Sequence, residues 1–149
     1  MASTLTSLLV HVVFSTKNRE AMIPERVEAG LHAYMGGICR GNGSRLMAAG
    51  GVEDHRHLFV SLGKSVAVAD LVMEVKRDSS SWMKENGGPA EFGWQDGYAA
   101  FTIGRSQVEA LVRYIAGQRA HHATVSFQDE LRAILRKYEV ECDERYVWG

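Results

Sequence analysis

Six consecutive segments of the chain carry the sequence patterns of a strand, a helix, two strands, a helix and a strand, in that order. The strand segments are rich in β-branched and apolar residues, whereas the helical segments repeat apolar residues at intervals of three and four. Runs of turn residues separate them, such as Gly41-Asn42-Gly43 after the first helix. We therefore predict these elements over residues 5–16, 24–39, 44–51, 56–62, 67–85 and 98–103.

This order of elements is that of the split βαβ, or ferredoxin-like, fold, and is RRM-like. It predicts an α+β protein in which two helices cover one face of an antiparallel sheet. The other face is then left for a ligand, a partner or a further helix.

Two more helices are predicted after the sixth segment, over about residues 105–122 and 126–138. Ser106 has the position of an N-cap, and Glu109 three residues later gives the spacing of a capping box. Ser126 is the N-cap candidate of the last helix, whose first turn is acidic.

The length of 149 residues and the 46% share of hydrophobic residues fit one domain whose core needs no disulfide or metal. We expect a single domain over residues 1–149. It would comprise a core over about 5–103, the helix over about 105–122, and a C-terminal helix and tail over 126–149.

Charge and cysteine content exclude some classes of protein. The net charge of -1 excludes binding of nucleic acid through bulk positive charge, but it leaves room for a local basic groove. Cys39 and Cys142 are far apart and form no Cys-x-x-Cys motif, so a reducing cytoplasm is the predicted location. No segment approaches the ~20 apolar residues of a membrane helix, so no membrane association is expected.

His55-Arg56-His57 lies at the start of a predicted strand. Alternate residues of a strand point to one face, so both imidazoles project together, and two neighbouring imidazoles can hold a divalent metal. Two half-exposed polar histidines at a strand start would give the same pattern. The spacing alone leaves both interpretations open.

Tyr114 and Gln118 are one helical turn apart and therefore face the same way. They lie about 90° to one side of the apolar stripe of their helix, at an edge shared with Gln107 and His121. On this pattern alone, an ordinary boundary tyrosine is the better explanation. His121 and His122 are adjacent in a helix, share no face and form a poor chelate.

Basic and aromatic residues gather near the predicted second and third helices. Five basic residues could form a strip that contacts DNA, and a solvated helix face explains them equally well. They are Lys76, Arg77, Arg105, Arg113 and Arg119. We expect an aromatic cluster that belongs mostly to the core, although one or two of its rings could stack on unpaired bases. Its members are Trp82, Phe92, Trp94, Tyr98 and Phe101.

Taken together, these motifs resemble the TnpA-type transposases of the smallest bacterial and archaeal insertion sequences, the single-tyrosine branch of the HUH nucleases. The resemblance extends over nearly the whole chain. The matching segments are VVFSTK at 12–17, DHRHLFV at 54–60, ADLV at 69–72, SSSW at 79–82, WQDGY at 94–98, YIAGQRAHH at 114–122, SFQDE at 126–130 and DERYVW at 143–148.

The resemblance implies that Tyr114 is the nucleophile and that His55, His57 and Gln118 bind one Mg²⁺ or Mn²⁺ ion. Attack of tyrosine on a DNA phosphate would give a 5′-phosphotyrosine and a free 3′-OH, which keeps the link available for rejoining. The implied substrate is single-stranded DNA with a hairpin near its end.

The family works as a homodimer, and in many members the histidines of one subunit join the tyrosine helix of the other. If that holds here, the strand over residues 9–14 is the expected dimer contact. Whether the tyrosine helix docks on its own chain or on the partner stays open at this point.

Two residues depart from the family pattern. Arg56 stands where a hydrophobic residue is usual, on the strand face opposite the histidines, so it must reach solvent, pair with an acid or lie at an interface. Gly117 stands where asparagine is common, and glycine within a helix costs about 1 kcal/mol relative to alanine. Our hypothesis is that Gly117 lets the tyrosine helix move between docking positions.

We therefore expect a metal-dependent transposase that cleaves and rejoins single-stranded DNA at insertion-sequence ends. A domesticated relative that processes repeated palindromic DNA would use the same chemistry. A non-catalytic RRM-like nucleic-acid-binding module would use the same sheet without a metal. A small histidine–metal hydrolase is the third alternative, and it would leave the spacing of Tyr114 and Gln118 without a role.

Overall fold

The computed structural model describes residues 2–149. Its strands are β1 (Leu9–Ser15), β2 (Arg45–Val52), β3 (His55–Ser61) and β4 (Ala99–Thr102), and its helices are α1 (Glu28–Gly41), α2 (Val68–Glu85), α3 (Val108–Ala116), α4 (Gln118–His122) and α5 (Phe127–Lys137). Short 3₁₀ turns, Glu25–Val27 and Arg105–Gln107, lead into α1 and α3. Over residues 2–149, no helix combines the length and the apolar character needed to cross a membrane.

The four strands form one antiparallel sheet in the order β2-β3-β1-β4. With the helices in their observed places along the chain, this is the split βαβ arrangement, so the prediction of an α+β ferredoxin-like fold is confirmed. β2 and β3 form the predicted hairpin. β1 lies in the middle of the sheet, where Val13 pairs with His57 and Ser15 pairs with His55.

Helices cover both faces of the sheet. Phe14 and Leu58 belong to the core beneath α1 and α2. On the opposite face, Phe59 packs with residues of α3 and Val13 packs with residues of α5. Since side chains alternate along a strand, the histidines of β1 and β3 point toward this second helical layer.

Some element boundaries differ from the prediction. β1 begins at Leu9 rather than at residue 5, because its partner β3 ends opposite Leu9, at Ser61. The predicted helix over 105–122 is two helices, since α3 ends at Ala116 and α4 begins at Gln118. Gly117 lies at the break, with φ -91° and ψ 13°.

The two predicted N-caps have different outcomes. Ser126 caps α5 as predicted, since its Oγ accepts the backbone N–H of Asp129 at 3.1 Å. The capping box of Ser106 is wrong, because a 3₁₀ turn precedes α3 and places Ser106 inside it. The side-chain oxygen of Gln107 instead accepts the backbone N–H of Gly104 at 2.8 Å.

The predicted dimer contact over residues 9–14 is also wrong. β1 hydrogen-bonds to β3 on one side and to β4 on the other, and every residue of the strand is buried. A central strand has no free edge to offer a second subunit. The edges of this sheet are β2 and β4.

Gly50 on β2 allows α3 to approach the sheet closely. A Cβ at this position would lie 2.5 Å from the backbone oxygen of Ile115, so any side chain must push α3 away. We expect Gly50→Ala to lower the free energy of unfolding by about 1–3 kcal/mol, measured by chemical denaturation. Gly41→Ala is the matched control, because a Cβ there meets nothing within 4 Å. Equal losses at both positions would contradict this account.

Candidate active site

Side chains from β3, α4 and α5 converge on one point beneath the second helical layer. His55 and His57 come from β3, His122 from the end of α4, and Glu130 from the first turns of α5. One potential ligand atom of each lies within 4.8 Å of those of the other three. This is a cluster with the composition of a metal site, brought together from segments far apart in the sequence.

Each of the three imidazoles is held from its Nδ1 side. His55 Nδ1 donates to Asp54 Oδ1 at 2.7 Å, and His122 Nδ1 donates to the Val125 carbonyl at 2.7 Å. His57 Nδ1 lies 2.8 Å from Nε2 of the buried His11. The Nε2 atoms are thereby directed at the centre of the cluster, which is the arrangement that orients metal-binding histidines.

Gln118 joins the cluster through both atoms of its amide. Its Oε1 lies 2.9 Å from His55 Nε2, and its Nε2 donates to Glu130 Oε2 at 2.8 Å. His55 therefore donates from both ring nitrogens. Burial alone lowers the pKa of His55, but its hydrogen bonds to Asp54 and Glu130 outweigh burial and raise that pKa above its ordinary value.

Tyr114 meets the cluster at Glu130. Its hydroxyl donates a hydrogen bond to Glu130 Oε2, and its ring stands edge-on to that of His57 at 5.6 Å. Burial, followed by the neighbouring carboxylate, raises the pKa of Tyr114, so the resting phenol keeps its proton. Tyr114 thus contacts the cluster formed by its own chain.

Glu130 is ionised although it is buried. Burial raises the pKa of its carboxyl, but the surrounding His122, His55 and His57 lower it well below its usual range. Burial also lowers the pKa of His57 to about 4, so this imidazole is neutral. The cluster thus offers an anionic oxygen and a neutral imidazole at one point.

The donor set fits a divalent first-row metal. His122 Nε2 is buried without a hydrogen-bond partner among the described residues, although it lies 3.1 Å from Glu130 Oε1. An orphaned imidazole nitrogen aimed at a carboxylate and two further imidazoles is a ready ligand position. A set rich in nitrogen suits Mn²⁺ at least as well as Mg²⁺, which prefers oxygen.

Sequence reasoning identified four of the residues that meet here, namely His55, His57, Tyr114 and Gln118. It missed Glu130, and it treated His122 only as half of a poor chelate with its neighbour. One signal for Glu130 was present, because it lies three residues after Phe127 on the apolar face of α5. An acid on that face must find partners when the helix is buried.

The candidate DNA-contacting residues do not form one strip. Lys76 and Arg77 lie on α2, while Arg105, Arg113 and Arg119 lie around α3 and α4 on the opposite face of the sheet. Arg119 is within 3.5 Å of three acids, which are Glu25, Glu28 and Glu53. Lys76 donates to backbone carbonyls, including that of Gln95. Arg105 and Arg113 are exposed.

The five aromatic residues are mostly core, as predicted, but they do not form one cluster, because Phe101 packs on the opposite face of the sheet from Phe92 and Trp94. Phe92, Trp94 and Phe101 are buried, and Trp82 is half-buried against α1. Tyr98 is the exposed member, at 41%.

Comparisons with known proteins identify a matching family and two solved structures of similar fold. Residues 4–118 match the family model described as "Transposase IS200 like". A crystal structure of a protein described as a transposase from Deinococcus radiodurans R1 superposes with a TM-score of 0.59 at 22% identity, over 79% of this chain and 95% of that chain. A REP-associated tyrosine transposase bound to a REP hairpin superposes with a TM-score of 0.62 at 14% identity, over 84% of this chain and 74% of that chain. The comparison with curated proteins found no match.

The two solved structures share the fold of this chain. The family match extends over more than half of the sequence and includes His55, His57, Tyr114 and Gln118, whereas His122 and Glu130 lie beyond it. On this match, the chain belongs to the IS200-like transposase family.

Proposed function

We propose that this protein cleaves and rejoins single-stranded DNA at the ends of an insertion sequence, through a covalent link to Tyr114. The observation that carries the proposal is the contact between the Tyr114 hydroxyl and Glu130, at the edge of a cluster of imidazoles. A potential nucleophile, a proton acceptor and a set of metal ligands are thereby within reach of one phosphate group.

The metal would be held by His55, His57 and Gln118, with His122 and Glu130 close enough to complete or adjust the set. When bound, a divalent ion would withdraw charge from the scissile phosphate. Mn²⁺ and Mg²⁺ are the proposed ions.

In the proposed reaction, Tyr114 Oη attacks the phosphorus and forms an O–P bond. The bond from phosphorus to the 3′ oxygen breaks, and that oxygen leaves with the electron pair and takes a proton to become a 3′-OH. The proton of Tyr114 leaves through Glu130, which already accepts its hydrogen bond, and passes on to solvent, while solvent supplies the proton that the 3′ oxygen takes. The link to the 5′ phosphate is retained, so a 3′-OH can later reverse the step without ATP.

The proposed partner is single-stranded DNA with hairpin ends. The solved relative bound to a REP hairpin supports this choice of DNA. Arg105 and Arg113 are the most available of the proposed DNA contacts, because both are exposed, on α3 and the turn that precedes it. Lys76, Arg77 and Arg119 stay proposed contacts, although each has protein partners. A homodimer in the cytoplasm, where its DNA substrate lies, stays part of the proposal.

The second candidate is a domesticated relative that processes repeated palindromic DNA with the same residues. The structural similarity to a REP-associated tyrosine transposase supports this second candidate. The genomic copy number of the gene and the DNA that flanks it separate the two. A non-catalytic RRM-like module is disfavoured, since it would leave the buried cluster around Glu130 without a role.

A covalent-adduct assay tests the chemistry. The full chain is incubated with labelled single-stranded oligonucleotides that carry the palindromic DNA flanking its gene, with Mn²⁺ or Mg²⁺, and run on a denaturing gel. We expect a shifted protein–DNA band that disappears with a chelator. Tight binding to the same DNA without any band would contradict the enzyme and favour the binding module.

His11 is expected to act on metal affinity from behind His57. Its ring stacks on that of His57 with centroids 5.1 Å apart, and burial lowers its pKa to about 3, so it is neutral. His57 Nε2 donates to Glu130 here, but a metal bound at that nitrogen would shift the His57 proton to Nδ1, where His11 Nε2, 2.8 Å away, would accept its hydrogen bond. His11→Phe keeps a ring but removes this acceptor. We expect Mn²⁺ affinity to fall about 10- to 100-fold by calorimetry. His32→Asn, on the other side of the sheet, should keep the wild-type affinity, and an equal loss in both variants would exclude a specific role of His11.

A further inference from the structure

A cleft of about 590 Å³ lies between α3 and α5 and opens beside Tyr114. One wall is formed by α3 and its preceding turn, with Gln107, Ala110 and Tyr114, and the other by α5, with Ala133 and Lys137. His11 and Ile103, from the sheet side, are also part of the lining. The proposed reaction uses Tyr114 and Glu130, and His11 supports a metal ligand, but the rest of this lining has no assigned role.

The lining of the cleft combines apolar and aromatic surface with a few polar atoms. Tyr138 lies at one end, with its ring stacked on the buried Phe101 at 4.9 Å. His121 also lines the cleft, and its buried Nε2 makes no hydrogen bond among the described residues, although it lies 3.4 Å from Glu130 Oε2. Lys137 adds a cation, with its Nζ 5.4 Å from the centre of the Tyr138 ring.

We propose that this cleft binds the base of a nucleotide next to the scissile phosphate. The inference rests on the proposed cleavage of single-stranded DNA and names a subsite for that reaction. A base presents apolar faces and a polar edge, and enzymes hold unpaired bases between apolar or aromatic side chains with hydrogen bonds to that edge. The apolar walls suit the faces, and the unpaired His121 Nε2 suits the edge.

The position of the cleft supports the same occupant. Tyr114 belongs to both the cluster and the cleft, so a phosphate at its hydroxyl leaves the adjacent nucleotide at the mouth of the cleft. Lys137 attracts a negatively charged strand, while Asp129 and Glu130 in the same lining oppose a phosphate inside the cleft, so the uncharged base is the part of the nucleotide that suits it. An unpaired strand has bases free to enter, whereas a paired duplex does not.

Ala133 provides a variant that fills the cleft without disturbing the core. It is exposed on α5 and lines the cleft, so Ala133→Phe adds a ring to the cleft itself. Ala33→Phe, at an exposed position of α1 across the sheet, is the matched control. Both are made in the full chain carrying Tyr114→Phe, so that equilibrium binding is measured without cleavage.

The probes are the same palindromic oligonucleotides, intact or with one abasic site at each position near the cleavage point. We expect a single abasic position to weaken binding about 5- to 150-fold, the range found for loss of one stacked base. Ala133→Phe should weaken binding of the intact DNA by a similar factor and add little on the abasic DNA. Ala33→Phe should change neither affinity.

Other outcomes overturn the inference. If Ala133→Phe weakens the binding of intact and abasic DNA equally, or changes neither affinity, no base occupies the cleft. If Ala133→Phe changes only the molar mass of the protein in solution and leaves its DNA affinity unaffected, a second copy of the chain occupies the cleft. Failure of the proposed function is seen separately, because the protein with Tyr114 intact would then form no adduct whatever the binding data show.

Discussion

Tyr114→Phe is expected to abolish the covalent protein–DNA adduct while the protein still folds and binds DNA. The substitution removes one oxygen, which is the atom proposed to attack phosphorus. Loss of a nucleophile typically slows an enzyme by at least about 10⁴-fold, so no band above background should remain. Glu130 keeps hydrogen bonds from Gln118 and His57, so the loss leaves no unpaired buried charge.

The measurement is the denaturing gel, accompanied by the melting temperature and the DNA affinity of the same preparation. Tyr34→Phe is the matched control, since Tyr34 is exposed on α1 and stacks on Trp82, far from the cluster. It should form adduct at the wild-type rate. An adduct formed by Tyr114→Phe would place the nucleophile elsewhere, and mass spectrometry of the linked peptide would locate it.

The arrangement of the strands and of the first two helices could be predicted from the sequence because their signals are local. The alternation of His55 and His57 gives them a common strand face, and the spacing of Tyr114 and Gln118 gives them a common helix face. Hydrophobic period and turn residues carry this information within a few residues of each element.

The rest of the site depends on how elements dock, which no local pattern specifies. His122 and Glu130 reach the cluster only because α4 and α5 cover the second face of the sheet. The sequence left that face open to a ligand, a partner or a helix. The break at Gly117 likewise reflects docking, since α4 brings Gln118 and His122 to the histidines of β3. Movement of the tyrosine helix about Gly117 stays a prediction.

The sequence predicts that a buried Arg56 needs a partner or a route to solvent, but it does not identify that partner. It is fully buried on the face opposite the two histidines, and its Nη1 donates to Glu28 Oε1 at 2.7 Å. The same nitrogen lies 3.0 Å from His32 Nε2, and Arg56 Nε donates to the carbonyl of His55 at 2.8 Å. Of the three solutions expected for a buried arginine, the structure uses the pairing with an acid.

Arg56→Met should therefore damage stability and spare the chemistry. Methionine fills similar space, but Glu28 then loses its buried partner, and breaking such a pair costs about 3–5 kcal/mol. Glu28 is partly exposed and also lies near Arg119, so we expect the lower end, about 3 kcal/mol. For a chain of this size, that corresponds to a melting temperature lower by about 6–12 °C.

Two further measurements separate this account from a direct role in the active site. Adding Glu28→Gln to Arg56→Met removes the unpaired charge and should recover part of the lost stability, because the penalty comes from the orphaned partner. At a temperature where the variant is folded, its rate of adduct formation should equal that of the wild type, since Arg56 points away from the histidines. A folded Arg56→Met protein that binds DNA but forms no adduct would show instead that Arg56 holds the histidines in place.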